Sequence, residues 1–190
     1  SGECPESWNI ENPEKIFEIH EEFVDAGSDI IVTNTFGGNQ FRLKLHQLES
    51  KVKELNYAGA QIARECAAKK VFVAGSIGPS GEILEPLGNL SYELAVKAFG
   101  QQSLALAEGG VDMIWLETFS DIKELKAALE GSMQTGLPIV VTMSFDTAGK
   151  TMMGVSPHEF VSFIKNQHNV FAYGANCGLG FDELLQTVGE

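Results

Sequence analysis

Five places along the 190-residue chain set a polar or reactive side chain directly after a short apolar run. Thr33, Asn34, Thr35 and Phe36 follow the run 29–33. Ser76, Ile77 and Gly78, continuing into Pro79, Ser80 and Gly81, follow 71–76. Glu117 and Thr118 close 112–117, Ser144 and Asp146 follow 138–142, and Asn176, Cys177 and Gly178 follow 170–174. A carboxylate can hold an amine, successive loop amides can cradle an anion, and a thiol can serve as nucleophile or metal ligand. If one fold end gathers these groups, they form a small-molecule site.

Each group also has a plainer reading. Thr33 to Thr35 could cap a following short helix, and the Ser76–Gly81 stretch is a turn by composition. Asp146, shortly before Gly149, reads as part of a surface turn. Cys177 could be a small buried hydrophobe or, next to Asn176 and Gly178 at a strand end, a ligand or nucleophile. Glu117 is harder to treat as passive. A carboxylate ending the run Met113, Ile114, Trp115 and Leu116 needs a partner, either a substrate amine or a Lys or Arg of the same protein.

The elements that would position these residues alternate strictly. Helical spacing of Ile16, Phe17, Ile19, His20, Phe23 and Val24 predicts a helix over 13–26, opened by Pro13 and stopped by Gly27. Strands are expected over 29–33, 71–76, 112–117, 138–142 and 170–174. Helices are expected over 50–68, 92–108, 121–133 and 157–165, with a last one from Phe181. Buried parallel strands and no hairpin signals leave an open doubly wound sheet or a closed barrel. The first strand carries no glycine-rich dinucleotide fingerprint, and polar residues recur at successive strand ends, so a barrel is expected. A full (β/α)8 barrel takes about 250 residues. Five to six βα units therefore predict a partial α/β TIM barrel, with residues 1–190 forming one incomplete domain.

Composition narrows the function classes. Thirteen Lys and Arg against 26 Asp and Glu give a formal charge of -13, which argues against nucleic acid or a membrane surface as partner. No apolar run reaches membrane-span length, and no leader pattern opens the sequence. Three widely spaced cysteines are not a disulfide scaffold, so a reducing, cytoplasmic setting is expected. Cys66 falls in a helical stretch, and Cys4 in a proline-bearing segment expected to be mobile. Neither shows metal-ligand spacing to Cys177. His20, His46, His158 and His168 lie outside the strand-end set, which leaves a His-based triad poorly supported.

In order, Trp8-Asn9, Ala26-Gly27, Thr33-Asn34-Thr35-Phe36, Ser76-Ile77-Gly78-Pro79, Glu117-Thr118 and Gly174-Ala175-Asn176-Cys177-Gly178 resemble the homocysteine S-methyltransferase family. The resemblance runs along essentially the whole chain. It implies a (β/α)8 barrel with its site at the C-terminal mouth, and methyl transfer to the homocysteine thiol to form methionine. It further implies a zinc ion on three cysteine thiolates, of which Cys177 matches the first. Glu117 matches the acid that holds the substrate amino group, and Ser76, Ile77 and Gly78 the segment whose backbone binds its carboxylate. Thr33, Asn34, Thr35 and Phe36 line the pocket, with Asn176 beside them.

The segment Ser144-Phe145-Asp146-Thr147-Ala148-Gly149, with Thr151 to Gly154 and Pro157, is most similar to the cobalamin-dependent methionine-synthase branch. That branch implies methylcobalamin on a corrinoid domain or protein as donor. Betaine- or S-methylmethionine-dependent enzymes are the alternatives within the family. Two of the family's segments are missing from this sequence: an Asp-Gly-Ala-Met-Gly-Thr-like first strand and a downstream Gly-Gly-Cys-Cys-Gly. The expectation is therefore a fragment, truncated at both ends, that neither holds zinc in the family manner nor turns over alone. A non-catalytic remnant binding a corrinoid protein or a neighbouring domain is a rival reading. So is an aldolase- or lyase-like barrel using Glu117 as acid and base, although no strand ends in Lys.

Overall fold

Short β-branched and apolar runs, each closed off from the preceding helix by a glycine or a polar turn, build the sheet. The computed structural model describes residues 2–68, 71–178 and 180–189. Its strands are β1 (Ile30–Val32), β2 (Phe72–Ile77), β3 (Met113–Phe119), β4 (Ile139–Met143) and β5 (Val170–Ala175). They form one parallel sheet in the order β1-β2-β3-β4-β5.

The main helices are α2 (Pro13–Asp25) before β1, then α4 (Val52–Ala67), α5 (Tyr92–Gly109), α6 (Ile122–Ser132) and α7 (Pro157–Ile164) as crossovers, and α8 (Phe181–Gly189) after β5. Two short helices, α1 (Trp8–Glu11) and α3 (Gln40–Lys44), sit in loops. Sequential parallel strands joined by helices are the repeating unit of a (β/α)8 barrel, and the expected partial barrel is what forms.

The helix starts are set locally. Ser91, Asp121 and Ser156 accept hydrogen bonds from Leu94, Lys123 and Glu159 amides, so α5, α6 and α7 each begin on a side-chain cap. Glu159 Oε2 in turn accepts from the Ser156 amide, completing a capping box. At the other end of α5, Gly110 adopts the left-handed conformation (φ 96°) that a helix stop requires.

Register and parity divide the sheet into two unlike faces. Ile31 pairs with Val73, and Ile77 with Leu116, so these residues share the face covered by α4, α5 and α6. There they meet Phe99, Leu106 and Leu125 in the main core. The other face carries Ile30, Val32, Phe72, Ser76, Trp115 and Glu117. In a closed barrel this would be the interior. Here Ile30 is 40%, Val32 39% and Phe72 59% exposed, because the strands that would lie across them are not among the described residues. β1 and β5 are accordingly the two edges of an open sheet.

Three expectations need correcting. The helix expected over 50–68 opens as a separate 3-10 turn, Glu49–Lys51, before α4 begins. β3 does not stop at Glu117 but runs to Phe119 past a register shift, with Thr118 at φ 65°. Cys4 is not in a loose segment. It is 6% exposed and packs with Leu43, Val52 and Leu55 in a second small core, where its thiol donates to Glu6. Burial, together with the Glu6 carboxylate, pushes that thiol's pKa up, which makes it an inert packing residue.

Candidate functional site

The C-terminal ends of the strands bring the predicted residues together. Ser76 aligns with Trp115 on the next strand, so Glu117, two residues on, lies diagonally across on the same face. The Ser76 hydroxyl donates to Glu117 Oε1 at 2.5 Å. Among the described residues Glu117 makes no ion pair with any Lys, Arg or His. A half-buried carboxylate is thus held by one hydroxyl and turned toward open space. The alternative of a Lys or Arg partner finds no support among the described residues.

That space is a cleft of about 680 Å³ lined by Thr33, Asn34, Phe36, Ser76 and Glu117 on one side and by Ile16, His20 and Phe23 of α2 on the other. The imidazole of His20 is buried, and its Nε2 has no hydrogen-bond partner among the described residues. Burial pushes its pKa down, disfavouring the charged form. In the sequence it stands outside the strand-end set because it lies on a helix, yet it lines the same cleft.

The first loop is held from behind. Thr33, Asn34 and Thr35 do not cap α3, since Asn39 accepts from the Phe41 and Arg42 amides instead. Thr33 and Thr35 hydroxyls lie 2.6 Å apart. Thr33 Oγ1 accepts from the Ser76 amide at 3.0 Å, and Thr35 donates to the Ser76 carbonyl at 2.8 Å. The side chain of Asn34 turns to Asn9 and the Pro5 carbonyl, and Asn9 answers by donating to the Asn34 carbonyl. This is the physical content of the Trp8-Asn9 motif: it ties the entry segment to the end of β1.

The second loop is close-packed. The Gly78 amide donates to the Phe36 carbonyl at 2.8 Å, and a Cβ on Gly78 would come within 2.5 Å of the Phe36 ring. Any larger residue at this position would displace the Phe36 ring from its place against the loop. The amides of Ser76 and Gly78 are both engaged within the protein. Ile77 points its side chain into the helix-side core, away from the cleft. Beyond them, Ser80 donates through its amide and its hydroxyl to the buried Glu124, whose pKa burial raises.

Cys177 lies across the mouth. Asn176 bridges over the end of β4: its Oδ1 accepts from the Thr118 amide at 3.0 Å, and its Nδ2 donates to Thr118 Oγ1 at 2.7 Å. The same Nδ2 approaches Cys177 Sγ at 3.2 Å, and Thr118 Oγ1 lies 3.9 Å from that sulfur. The thiol is exposed rather than buried, so it is not the core residue that a lone cysteine usually is. Thr118 and Cys177 both take left-handed backbone conformations (φ 65° and 59°). For a β-branched residue that costs about 1–3 kcal/mol, and the two bonds from Asn176 hold Thr118 there. Thr118 was visible as the residue after Glu117, but nothing in the sequence gave it this role.

Asp146 lines a neighbouring cleft of about 410 Å³ with Thr118, Ser120, Glu124 and Met153, beside the Thr147–Lys150 turn. No three His, Cys, Asp or Glu side chains among the described residues stand close enough to hold a metal ion. Cys66 lies on α4 near Glu21 and Asp25, and Cys4 is buried in the small core, which leaves Cys177 as the exposed thiol. None of the described helices is long and apolar enough to cross a membrane.

Known proteins share both the sequence and the fold. Methionine synthase of Mycobacterium leprae (strain TN) is 32% identical over 195 aligned positions, covering 96% of this chain and 16% of that protein. The metallated homocysteine methyltransferase MmuM from Escherichia coli superposes with a TM-score of 0.81 at 22% identity, covering 94% of this chain and 67% of that one. N-acetylneuraminate lyase from Mycoplasma synoviae superposes at 0.52 with 14% identity over 87% of this chain, a likeness of fold alone. The present chain thus spans about two-thirds of MmuM and a small part of the methionine synthase. The homocysteine S-methyltransferase profile matches residues 2–190, and the chain belongs to that family.

Proposed function

We propose that the protein to which this chain belongs methylates the thiol of homocysteine to give methionine, and that this chain supplies its amino-acid-binding half. The observation that carries the reading is Glu117, a half-buried carboxylate facing the cleft with no cationic partner among the described residues. An ammonium group fills that need, and the adjacent Ser76 hydroxyl holds the carboxylate where the ammonium arrives. Thr33, Asn34, Phe36 and Ser76 form the wall against which the rest of the amino acid lies, with Thr35, Ile77 and Gly78 packed behind it. Since the Ser76 and Gly78 amides serve the protein itself, they contribute shape more than free donors.

In this reading Cys177, presented by Asn176, is one thiolate ligand of a zinc ion whose remaining ligands lie outside the described residues. One thiol does not make a zinc site, and the chain alone is expected to be inactive. The methyl donor in this reading is methylcobalamin on a corrinoid domain or protein. The Ser144–Gly149 and Thr151–Gly154 segments and the identity to a methionine synthase support it. Three free cysteines support a cytoplasmic setting.

The deciding experiment supplies the intact protein with homocysteine and, in turn, methylcobalamin, betaine and S-methylmethionine, and measures methionine. Methionine from methylcobalamin alone is expected. Turnover with betaine or S-methylmethionine would overturn the donor assignment, and no methionine from any donor would overturn the reaction.

A further inference from the structure

The strand-end loops are gripped by two amide side chains that lie deep between α4 and α5 and touch nothing in the cleft. Gln102 and Asn56 are both fully buried. Gln102 Nε2 spends one N–H on the Thr35 carbonyl at 2.7 Å and approaches Asn56 Oδ1 at 3.1 Å. Asn56 Nδ2 donates in turn to the Gly38 carbonyl at 2.8 Å and to the Val52 carbonyl at 2.7 Å. With both donors of Gln102 on acceptors, the orientation of its amide is set. A Cβ on Gly38 would collide with both amides, coming within 2.8 Å of Gln102 Nε2, so the loop is shaped to let them in.

From Thr35 the connection continues without a gap. Thr35 Oγ1 grips the Ser76 carbonyl, Thr33 Oγ1 accepts from the Ser76 amide, and Ser76 Oγ holds Glu117 Oε1. The peptide unit on each side of Ser76 is therefore fixed by a threonine whose own loop is fixed by Gln102. The Ser76 hydroxyl has no other hydrogen-bond partner among the described residues. We propose that Gln102 is a positioning residue for the Glu117 carboxylate, acting through Thr35, Thr33 and Ser76. The inference rests on the reading that Glu117 receives the substrate ammonium, and it extends the site about two layers inward from the cleft. Every side-chain donor in this buried network finds an acceptor, while Gln102 Oε1 has no partner among the described residues, so the donors hold the arrangement and losing one loosens the rest.

The test uses Gln102→Met, which keeps the length and removes both donors, beside Ser76→Ala, in the intact protein. The first readout needs no ligand: the side-chain carboxyl ¹³C resonance of Glu117, assigned with Glu117→Gln. Gln102→Met is expected to move it in the same direction as Ser76→Ala. A resonance unmoved by Gln102→Met, or by Ser76→Ala, overturns the proposal.

The second readout is affinity for homocysteine against 4-mercaptobutyrate, which lacks only the amino group. Gln102→Met is expected to weaken homocysteine about tenfold while leaving 4-mercaptobutyrate unchanged, the size expected for loosening one charge-assisted contact. Equal weakening of both, as general loss of packing would give, overturns the positioning role. Equal affinity of the unmutated protein for the two ligands instead removes the ammonium reading of Glu117, which the carboxyl resonance does not depend on.

Discussion

Ser76 and Glu117 meet at 2.5 Å across neighbouring parallel strands, and no cation among the described residues competes for the carboxylate. Ser76 is itself buried, so its hydroxyl has little else to bond. Hydrogen bonds to charged groups contribute about 1.5–3 kcal/mol. Ser76→Ala should therefore weaken homocysteine binding in the intact protein roughly tenfold, and Glu117→Gln by more, since it removes the charge that pairs with the ammonium. Calorimetric titration reads both. Equal affinities for Glu117→Gln and the unmutated protein would take Glu117 out of the site.

Thiol reactivity separates the three cysteines. Cys177 is exposed and hydrogen-bonded by Asn176, Cys66 is half-buried, and Cys4 is buried with a raised pKa. Burial and the nearby Glu21 and Asp25 carboxylates raise that of Cys66 as well. Since the thiolate is the reacting form, a disulfide reagent added to the native chain should consume one thiol quickly and the others much more slowly. Cys177→Ala should abolish the fast phase. In the intact protein the same substitution should lower bound zinc, measured by metal analysis, and full zinc retention would count against Cys177 as a ligand.

Much of the site was legible because barrel strands end in function. The order of Thr33, Ser76, Glu117 and Cys177 along the chain is also their order across the sheet, so reading strand ends was enough to assemble them. What the sequence hid falls into two kinds. Thr118 and Asn176 interact across 58 positions, with β4 between their strands, and no local pattern encodes such a bridge. His20, Gln102 and Glu124 sit on helices, where spacing marks them as ordinary core or surface positions. Their roles depend on which loop tertiary packing brings to them. Cys4 was misread because a proline usually marks a loose end, whereas here Glu6 accepts from the Gly37 amide and pins the segment down.

Glu124 should give the chain a pH-dependent stability. Burial raises its folded pKa, and the nearby Asp121 carboxylate adds to this, while the two bonds from Ser80 act the other way. A raised folded value means that the folded state holds the proton more tightly than the unfolded one. The stabilisation is complete below the unfolded value of about 4.3 and is lost as pH rises through the folded value. Glu124→Gln keeps an oxygen for the Ser80 donors and removes the buried charge. Thermal melts from about pH 4 to about pH 8 should show the variant gaining on the unmutated chain as pH rises. Parallel curves would show that Glu124 does not titrate in that window. Glu124→Ala should lose about 1–3 kcal/mol at every pH, because the Ser80 amide and hydroxyl are left buried without an acceptor.

The uncovered sheet face predicts how the isolated chain behaves. Ile30, Val32 and Phe72 lie together on it, Ile19 and Phe23 of α2 are exposed beside it, and β1 and β5 each leave one edge unpaired. Exposed apolar faces with open strand edges drive self-association at micromolar to millimolar concentrations. The formal charge of -13 opposes close approach of two copies, but salt screens that repulsion at a range of about 8 Å near physiological ionic strength. The chain should therefore associate more as salt is raised, and it should bind an apolar dye. Phe72→Lys is expected to reduce both, with little change in melting temperature, since the phenyl ring is mostly outside the main core. Light scattering across a salt series, at about 100 µM chain, makes the measurement. A monomer at every salt concentration that binds no dye would mean the face is covered in solution, and Phe72→Lys would then be strongly destabilising.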